Sequence, residues 1–365
     1  MKGDFQMIVN VEELKAGSIL AEDIYMRTNR PIITAKTVLA EEHIKILKAF
    51  LVEKIPVQNT QIDGTKMNQS NTSIHNKGEK GIKSDFIDLF LHTVQLYKKE
   101  FISWQSGLSV NIANIRNILL PLLEQLKDGS TEIFSLYHLS NKKEYIYQHS
   151  IAVAIISALI AQKLNYNYRD TIQVALAGCL SDAGMAKIEQ RLLHKTEPLT
   201  EEEFNEVKKH TRYSLEMIPE HTLLKNETRL AIFQHHERID GSGYPMGNVD
   251  TKIHVFAKII AVADTFHAMT SERLYRKKHS PFRVIEQMHQ DHFGKFDLTI
   301  LQALSNAITQ FTTGSKVRLS NGEKAEVLFI EGNVSTRPLV KIIENEMILD
   351  LEKNRHLFID EILEY

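Results

Sequence analysis

The chain has 365 residues, of which 43% are apolar and 25% charged, the proportions of globular proteins. This length exceeds that of one ordinary hydrophobic core and predicts two or three domains. The 44 basic and 46 acidic residues nearly cancel, which excludes a whole-protein field that would attract nucleic acid or an anionic membrane. Any anionic ligand must therefore be bound by a local patch.

Cysteine use and hydropathy predict a cytoplasmic protein without a membrane span. Cys179 is the single cysteine, so no internal disulfide can form, and its apolar neighbours favour a structural thiol. The first apolar stretch, 7–9, is too short for the core of a signal peptide. The longest apolar stretch, 151–161, is shorter than the roughly 20 residues that span a bilayer.

Changes of pattern divide the N-terminal part of the chain into three segments. Residues 1–60 mix short strand-like runs with one helical segment and predict a small α/β module. Residues 61–84 are polar, rich in Asn, Ser, Gly and Lys, and lack periodicity, as in a flexible linker. Over 85–137, large apolar side chains recur at helical steps and predict a helical connector. Packing of these stripes against the next domain is favoured over a cofactor box or a dimer seam.

Helical periodicity dominates residues 138–312, where Thr200 and Glu203 have the spacing of a capping box. After Gly314 the period changes to two, with a turn at 320–322, and predicts a small antiparallel β module over 313–365. The predicted fold class is therefore mainly α: a helical bundle with a small N-terminal α/β module and a small C-terminal antiparallel β module.

Several histidines and aspartates of the central segment fall on apolar helical faces. His149 begins an apolar stripe, Asp182 ends an apolar run, and Asp264 follows Phe256 and Ile260 at helical steps. Taken singly, an inward histidine is more often a hydrogen-bonded core residue and an inward aspartate a helix cap. Taken together, without a nearby excess of buried Lys or Arg to neutralise the acids, these N and O donors are most simply satisfied by divalent cations. The predicted metal ligands are His149, Asp182, His210, His235, His236 and Asp264.

The motifs around these residues resemble the HD-GYP family, a branch of the HD-domain phosphohydrolases. They are YIYQHSIAVA around His149, Ser181-Asp182, KKH ending at His210, HHERIDGSGYP at 235–245, AVAD ending at Asp264 and TSERLYRK at 270–277. The motif at 235–245 is highly specific, whereas AVAD alone is a weak signal. The resemblance covers about 138–300 and implies an HD-GYP-type helical bundle.

The resemblance implies hydrolysis of cyclic di-GMP, a bacterial second messenger, by a metal-bound hydroxide. It assigns His149 and Asp264 to one ion, with Asp182 as the bridging catalytic carboxylate. It assigns His210, His235 and His236 to the other ion, and it allows Fe, Mn or Zn at one or two ions per chain. The predicted substrate-binding residues are Gly243, Tyr244 and Pro245 of a glycine-rich loop, for which a plain turn is the alternative, and the basic cluster Arg273, Arg276 and Lys277, for which a solvated helix end is the alternative. The Tyr244 ring is expected to offer a flat face to a guanine.

Two positions depart from the family pattern. Ser181 replaces the histidine of the name-giving pair, and Met185 replaces a lysine that helps to hold the phosphate. Both changes predict reduced or conditional activity. The alternative is a degenerate domain that binds cyclic di-GMP or a protein partner without turnover, whereas the balanced charge gives little support to a nucleic-acid-binding module. The sequence leaves open a homodimer or a signalling protein partner.

Overall fold

The computed structural model describes residues 6–25, 31–49, 52, 54–58, 86–126, 136, 139, 144–271, 279–290, 294–309, 312–330 and 336–364. The predicted linker over 61–84 lies outside the described residues, and so do Arg273, Arg276 and Lys277.

A small α/β module begins the chain, as its sequence pattern predicts. It contains β1 (Gln6–Asn10), β2 (Ile24–Tyr25), β3 (Pro31–Ile33), α1 (Glu41–Ala49) and β4 (Lys54–Gln58). β1 pairs antiparallel with β4, and β2 pairs antiparallel with β3. Leu20, Leu39, Leu47 and Ile55 are fully buried in a hydrophobic cluster of this module, which gives it a small core of its own.

Two connecting helices, α2 (Phe86–Gln105) and α3 (Ile112–Gln125), follow. The aromatic stripe of α2 is buried in the same hydrophobic cluster as the central helices. Within it, the Tyr97 and Trp104 rings pack edge to face with centroids 5.5 Å apart, and the Tyr97 hydroxyl donates to the Cys179 carbonyl. The stripe is therefore internal packing, the preferred of the three interpretations.

The central part of the chain is a helical bundle. Its helices are α4 (Tyr145–Lys163), α5 (Tyr168–Leu180), α6 (Gln190–Leu193), α7 (Glu201–Lys208), α8 (His210–Glu216), α9 (Asn226–Gln234), α10 (Val255–Thr270), α11 (Pro281–Gln290) and α12 (Leu298–Ile308). α4 is apolar on all sides and packs against α2, α5, α10 and α12. Within the described ranges it is the one helix long and apolar enough to cross a membrane, but 78% of its apolar window is buried in the protein.

The C-terminal residues form the predicted small antiparallel sheet. Its strands are β5 (Lys316–Leu319), β6 (Lys324–Phe329), β7 (Leu339–Ile342), β8 (Ile348–Asp350) and β9 (Ile359–Glu364), in the spatial order β8-β7-β6-β5-β9. The Ser280 hydroxyl, next to α11, donates to the Ile359 carbonyl at 2.9 Å. The Arg318 guanidinium contacts Asp23 at 2.9 Å, so this sheet also touches the N-terminal module. The mainly α fold with two small flanking modules is confirmed.

A close backbone approach holds the turn after α5 against the first residues of α8. The Gly184 amide donates to the Ser214 hydroxyl at 2.7 Å, and that hydroxyl donates to the Ser181 carbonyl at 2.6 Å. A Cβ on Gly184 would lie 2.1 Å from the His210 carbonyl oxygen and 2.5 Å from the Ser214 nitrogen. Because both neighbours are backbone atoms, a larger residue cannot be accommodated by a side-chain rotation. The segments that carry Asp182 and His210 are thereby held together.

Gly184→Ala is expected to lower the melting temperature markedly, by the equivalent of about 2 kcal/mol, because overpacking against backbone forces segments apart. Thermal unfolding followed by circular dichroism measures the change. Gly178→Ala is the graded control, since its Cβ would meet its nearest neighbours at 3.1 Å. Equal melting temperatures for the two variants would show that the contact at Gly184 is not tight.

Candidate metal centre

Elements far apart in the chain bring the six predicted ligands together. His149 lies on α4, Asp182 after α5, His210 at the start of α8, His235 and His236 after α9, and Asp264 on α10. His210 and His235 are almost completely buried, and Asp182 is 8% exposed. The site therefore lies inside the bundle, where an unpaired polar group is costly.

Four of these residues form one compact set. One donor atom from each of Asp182, His210, His235 and His236 lies within 4.8 Å of the others. The Asp182 Oδ1 atom is 3.3 Å from His210 Nε2 and 3.8 Å from His235 Nε2. The two Nε2 atoms are themselves 3.3 Å apart. Such a set of N and O donors suits a transition-metal ion.

A second set shares the same aspartate. Donor atoms of His149, Asp182 and Asp264 also lie within 4.8 Å of one another. His149 Nε2 is 2.9 Å from Asp264 Oδ1 and 3.5 Å from Asp182 Oδ2. The two oxygens of Asp182 thus face different groups of histidines, which is the geometry of a bridging carboxylate.

The hydrogen bonds of two histidines show that these donors fit a cation. His210 Nδ1 donates to the Val207 carbonyl at 2.7 Å, and His235 Nδ1 donates to the Ile232 carbonyl at 2.8 Å. Since a carbonyl only accepts, each neutral ring presents the lone pair of its Nε2 atom to the site. Among the described residues, Asp182 Oδ1 has no hydrogen-bond partner. These three lone pairs would repel one another unless a cation lies between them.

The pKa values of the site favour the forms that bind cations. Burial acts to raise the pKa of Asp182, but His235, His210 and His149 outweigh it and lower that pKa below its usual range. For Asp264, burial is likewise outweighed by the bond with His149, so its pKa is also lowered. Burial lowers the pKa of His210, and it lowers that of His236 further with the help of the neighbouring rings. At neutral pH both aspartates are ionised and both of these histidines are neutral.

Comparison with known proteins identifies the domain that holds this site. Residues 137–300 match the family model described as HD domain. This stretch is an HD domain. This match bears out the HD-domain part of the assignment made from the motifs, and the HD-GYP branch stays a prediction.

Relatives and a solved structure agree with this assignment. A cyclic di-GMP phosphodiesterase of Pseudomonas aeruginosa is 29% identical over 236 residues, which are 65% of this chain and 57% of that protein. A 3′3′-cGAMP-specific phosphodiesterase of Vibrio cholerae is 32% identical over 235 residues, which are 61% and 53% of the two proteins. The chain therefore spans about half the length of these relatives. An HDG“Y”P protein from Bdellovibrio bacteriovorus has a similar fold, with a TM-score of 0.50 and 15% identity over 82% of this chain and 98% of that one.

The two departures from the family pattern have a visible structural basis in the HD domain. The Ser181 hydroxyl donates to the Gly178 carbonyl at 2.9 Å, within its own helix end. Met185 packs against the hydrophobic core. The set around His149 therefore keeps three protein donors, while the set around His210 keeps four.

The glycine-rich loop at 241–245 is held against the histidine pair. A Cβ on Gly243 would lie 2.4 Å from both the Arg238 nitrogen and the His236 carbonyl oxygen, so only glycine fits there. The Glu237 carboxylate accepts hydrogen bonds from the backbone amides of Met246 and Asn248 at 2.8 and 2.9 Å. Pro245, which follows Tyr244 in this loop, is exposed. The loop is thus anchored by backbone contacts on both sides of Tyr244.

The Tyr244 ring lies against His236, one of the predicted metal ligands. Its centroid is 4.6 Å from that of His236, with an angle of 32° between the rings. Burial raises the pKa of Tyr244, and the charges of Asp264 and Asp182 raise it further, so the hydroxyl stays protonated. One face of this ring is covered by His236, and stacking of a guanine on Tyr244 stays a prediction. Arg273, Arg276 and Lys277 also stay predictions, because the structure does not describe them.

His267 belongs to the site but is missing from the predicted residues. Its Nδ1 atom is 2.9 Å from Nδ1 of His149, and its Nε2 atom is 3.2 Å from the Ser271 hydroxyl. It lies three residues after Asp264 on α10, a helical spacing that could have indicated a shared face. Nε2 of His149 faces the aspartates, so its Nδ1 atom is free to bond with His267 Nδ1 at 2.9 Å and with the Tyr145 hydroxyl at 3.2 Å, and these contacts fix the ring.

We expect the double substitution His235→Ala and His236→Ala to remove at least one metal ion per chain, because it deletes two donors of the four-residue set. Elemental analysis of the purified protein measures the ion content. His289→Ala, a half-buried histidine on α11, is the control. Metal content equal to that of the control would refute the ligand assignment.

His267→Ala should weaken the ion bound by the His149 set by about 10- to 100-fold, the usual cost of losing the partner of a ligating histidine. The four-residue set should keep its ion. Metal titration of the apoprotein measures the affinities of the two sets separately. His267→Gln is the matched variant, since its side-chain amide can bond with the same His149 Nδ1 atom, and it should recover part of the affinity. Identical titrations for all three proteins would exclude the positioning role.

Proposed function

We propose that this chain is a metal-dependent phosphodiesterase of the HD-GYP branch that hydrolyses cyclic di-GMP. The observation that carries the proposal is the pair of ligand sets that share Asp182. Two cations joined by one carboxylate are typical of enzymes that cleave phosphodiesters by in-line displacement. The motif at 235–245 supports the branch, and relatives named as phosphodiesterases of cyclic di-GMP and 3′3′-cGAMP support a cyclic dinucleotide as substrate.

In this proposal the protein groups have separate tasks. Ionised Asp182 would be shared by the two sites, His149 and Asp264 would complete one site, and His210, His235 and His236 would complete the other. The carbonyls of Val207 and Ile232 hold His210 and His235 in the required tautomer. When bound, two divalent ions lower the pKa of a water towards neutrality and neutralise charge on the phosphate. The buried position of the ligands limits competing water.

The proposal extends to the setting of the enzyme. The ions are iron, manganese or zinc, since N and O ligands accept all three. We place the protein in the cytoplasm. This compartment is reducing, which agrees with the single cysteine of the chain, and it contains the proposed substrate. The hypothesis includes binding of the substrate phosphates by three cationic side chains, those of Arg273, Arg276 and Lys277. It also includes a homodimer or a signalling protein partner.

Hydrolysis of cyclic di-GMP by purified protein, assayed with Mn²⁺, Fe²⁺ and Zn²⁺ in turn, tests the proposed reaction. Asp182→Asn should reduce the rate by about 10²-fold or more, because loss of the bridging charge removes transition-state stabilisation. Asp250→Asn, at an exposed aspartate, is the matched control. An Asp182→Asn protein as active as the control would refute the mechanism.

A second candidate function is a receptor that binds cyclic di-GMP without turnover. It is favoured by Ser181, whose hydroxyl is engaged by Gly178, and by the uncharged Met185. Tight binding of cyclic di-GMP by the metal-loaded protein, with no product under any of the three ions, would favour this candidate.

The double substitution Ser181→His and Met185→Lys should raise hydrolysis more than either single change. The imidazole adds a donor to the three-residue set, and the ammonium adds a charge beside the phosphate, each commonly worth about 10²-fold or more in rate. Steady-state rates and metal content of the four proteins are compared. A double variant that gains metal without gaining rate would show that the limit lies elsewhere.

A further inference from the structure

The rim of the metal centre carries an aromatic ring and a lysine on one face of α7. Phe204 and Lys208 are four residues apart, so their side chains lie next to each other on the helix. The Lys208 Nζ atom is 4.6 Å from the centroid of the Phe204 ring. Phe204 is 43% exposed, which is high for a phenylalanine. An exposed ring beside an ammonium can contact both the base and the phosphate of a nucleotide.

Tyr244 connects this pair to the metal ligands. Its ring centroid is 4.6 Å from that of His236 and 6.2 Å from that of Phe204, which meets it edge to face. Lys208 Nζ lies 5.8 Å from the same Tyr244 centroid. A continuous path of rings therefore leads from the histidines outward to Phe204. The inner ring of this path is covered by its neighbours, whereas the outer ring is accessible.

The charge of Lys208 is available to a ligand. Its ammonium donates to the neutral amide oxygen of Asn205 at 3.1 Å, and no ion pair within the described part of the chain includes it. The adjacent Lys209, in contrast, is paired with Glu206. Arg238 is also close to the centre, but its guanidinium donates to the Glu237 carbonyl at 2.9 Å and packs over the Phe296 ring. Lys208 can thus bind a phosphate without breaking an ion pair.

We propose that Phe204 and Lys208 form a recognition platform for a cyclic dinucleotide at the rim of the metal centre. A cyclic dinucleotide carries two phosphodiesters, so one can reach the metal ligands while the other lies further out. Lys208 binds this outer phosphodiester, and a purine base stacks on the Phe204 ring. The identity of the ligand rests on the proposed function, but the platform requires binding and not turnover.

Two substitutions test the platform in the metal-loaded full chain. Phe204→Ala should weaken cyclic di-GMP binding roughly tenfold, the loss expected when a base loses an aromatic stacking partner. Lys208→Met should weaken it by a similar factor, whereas Lys208→Arg should keep most of the affinity because it keeps the charge. Titration calorimetry gives the Kd values. Circular dichroism and metal content verify that each variant folds and keeps its ions.

Matched controls separate the platform from general surface effects. Tyr168→Ala removes another exposed aromatic ring, at the start of α5, and Lys209→Met removes the paired lysine beside Lys208. Both control proteins should have a Kd for cyclic di-GMP within about twofold of the wild-type value. This change is much smaller than the roughly tenfold weakening expected for Phe204→Ala and Lys208→Met. The platform is wrong if Phe204→Ala and Lys208→Met bind as tightly as these controls.

A small diester, bis(p-nitrophenyl) phosphate, distinguishes base recognition from catalysis. Phe204→Ala should lower kcat/KM for cyclic di-GMP about tenfold more than for this compound, since the compound has no purine to stack. Equal losses for both substrates would overturn the stacking role. Wild-type protein that binds cyclic di-GMP without hydrolysis refutes only the proposed reaction, and the Kd comparison still decides on the platform. Wild-type protein that does not bind it refutes the platform for this ligand.

Discussion

The structure of the centre depends on one buried carboxylate, that of Asp182, surrounded by imidazole nitrogens. Both of its oxygens face histidines, and among the residues described its Oδ1 atom lacks a hydrogen-bond donor. A charge buried in this way is tolerated only when something cationic compensates it. A divalent cation between these donors would account for the burial of the aspartate and for the convergence of the histidines on it.

The same type of hydrogen bond to the backbone orients two of the histidines. His210 and His235 each follow the end of a helix, and each donates its Nδ1 proton to a carbonyl three residues earlier. The last carbonyls of a helix have no partner within that helix, so the imidazole satisfies a backbone group while its own ring is fixed. Helix ends thus supply both the position and the tautomer of the ligands. Their rigidity is increased by the close backbone contacts at Gly184 and Gly243.

The flanking modules are joined to the bundle and to each other through polar contacts. Arg318 of β5 contacts Asp23 of the N-terminal module and Glu361 of β9. Burial raises the pKa of Glu361, although the neighbouring Arg318 acts against this shift. On α11, Glu286 contacts Arg337 at 2.6 Å, which connects the bundle to the C-terminal module. These partly buried pairs give the contacts between modules a defined geometry, because a misplaced charge there would lose its partner.

The sequence by itself determined the fold class and predicted the six side chains that the structure brings together, because both are recorded in local patterns. Helical periodicity is visible along α2 and α4, and the motif at 235–245 places His235 and His236 before a glycine turn. The tertiary structure alone brought His267 to His149 and covered one face of Tyr244 with His236. It also combined Phe204 and Lys208 with the Tyr244 loop. The contacts of His267 with His149 and of Phe204 and Lys208 with Tyr244 join segments separated by tens of residues or more, and their geometry follows from how the helices pack, which no local pattern encodes.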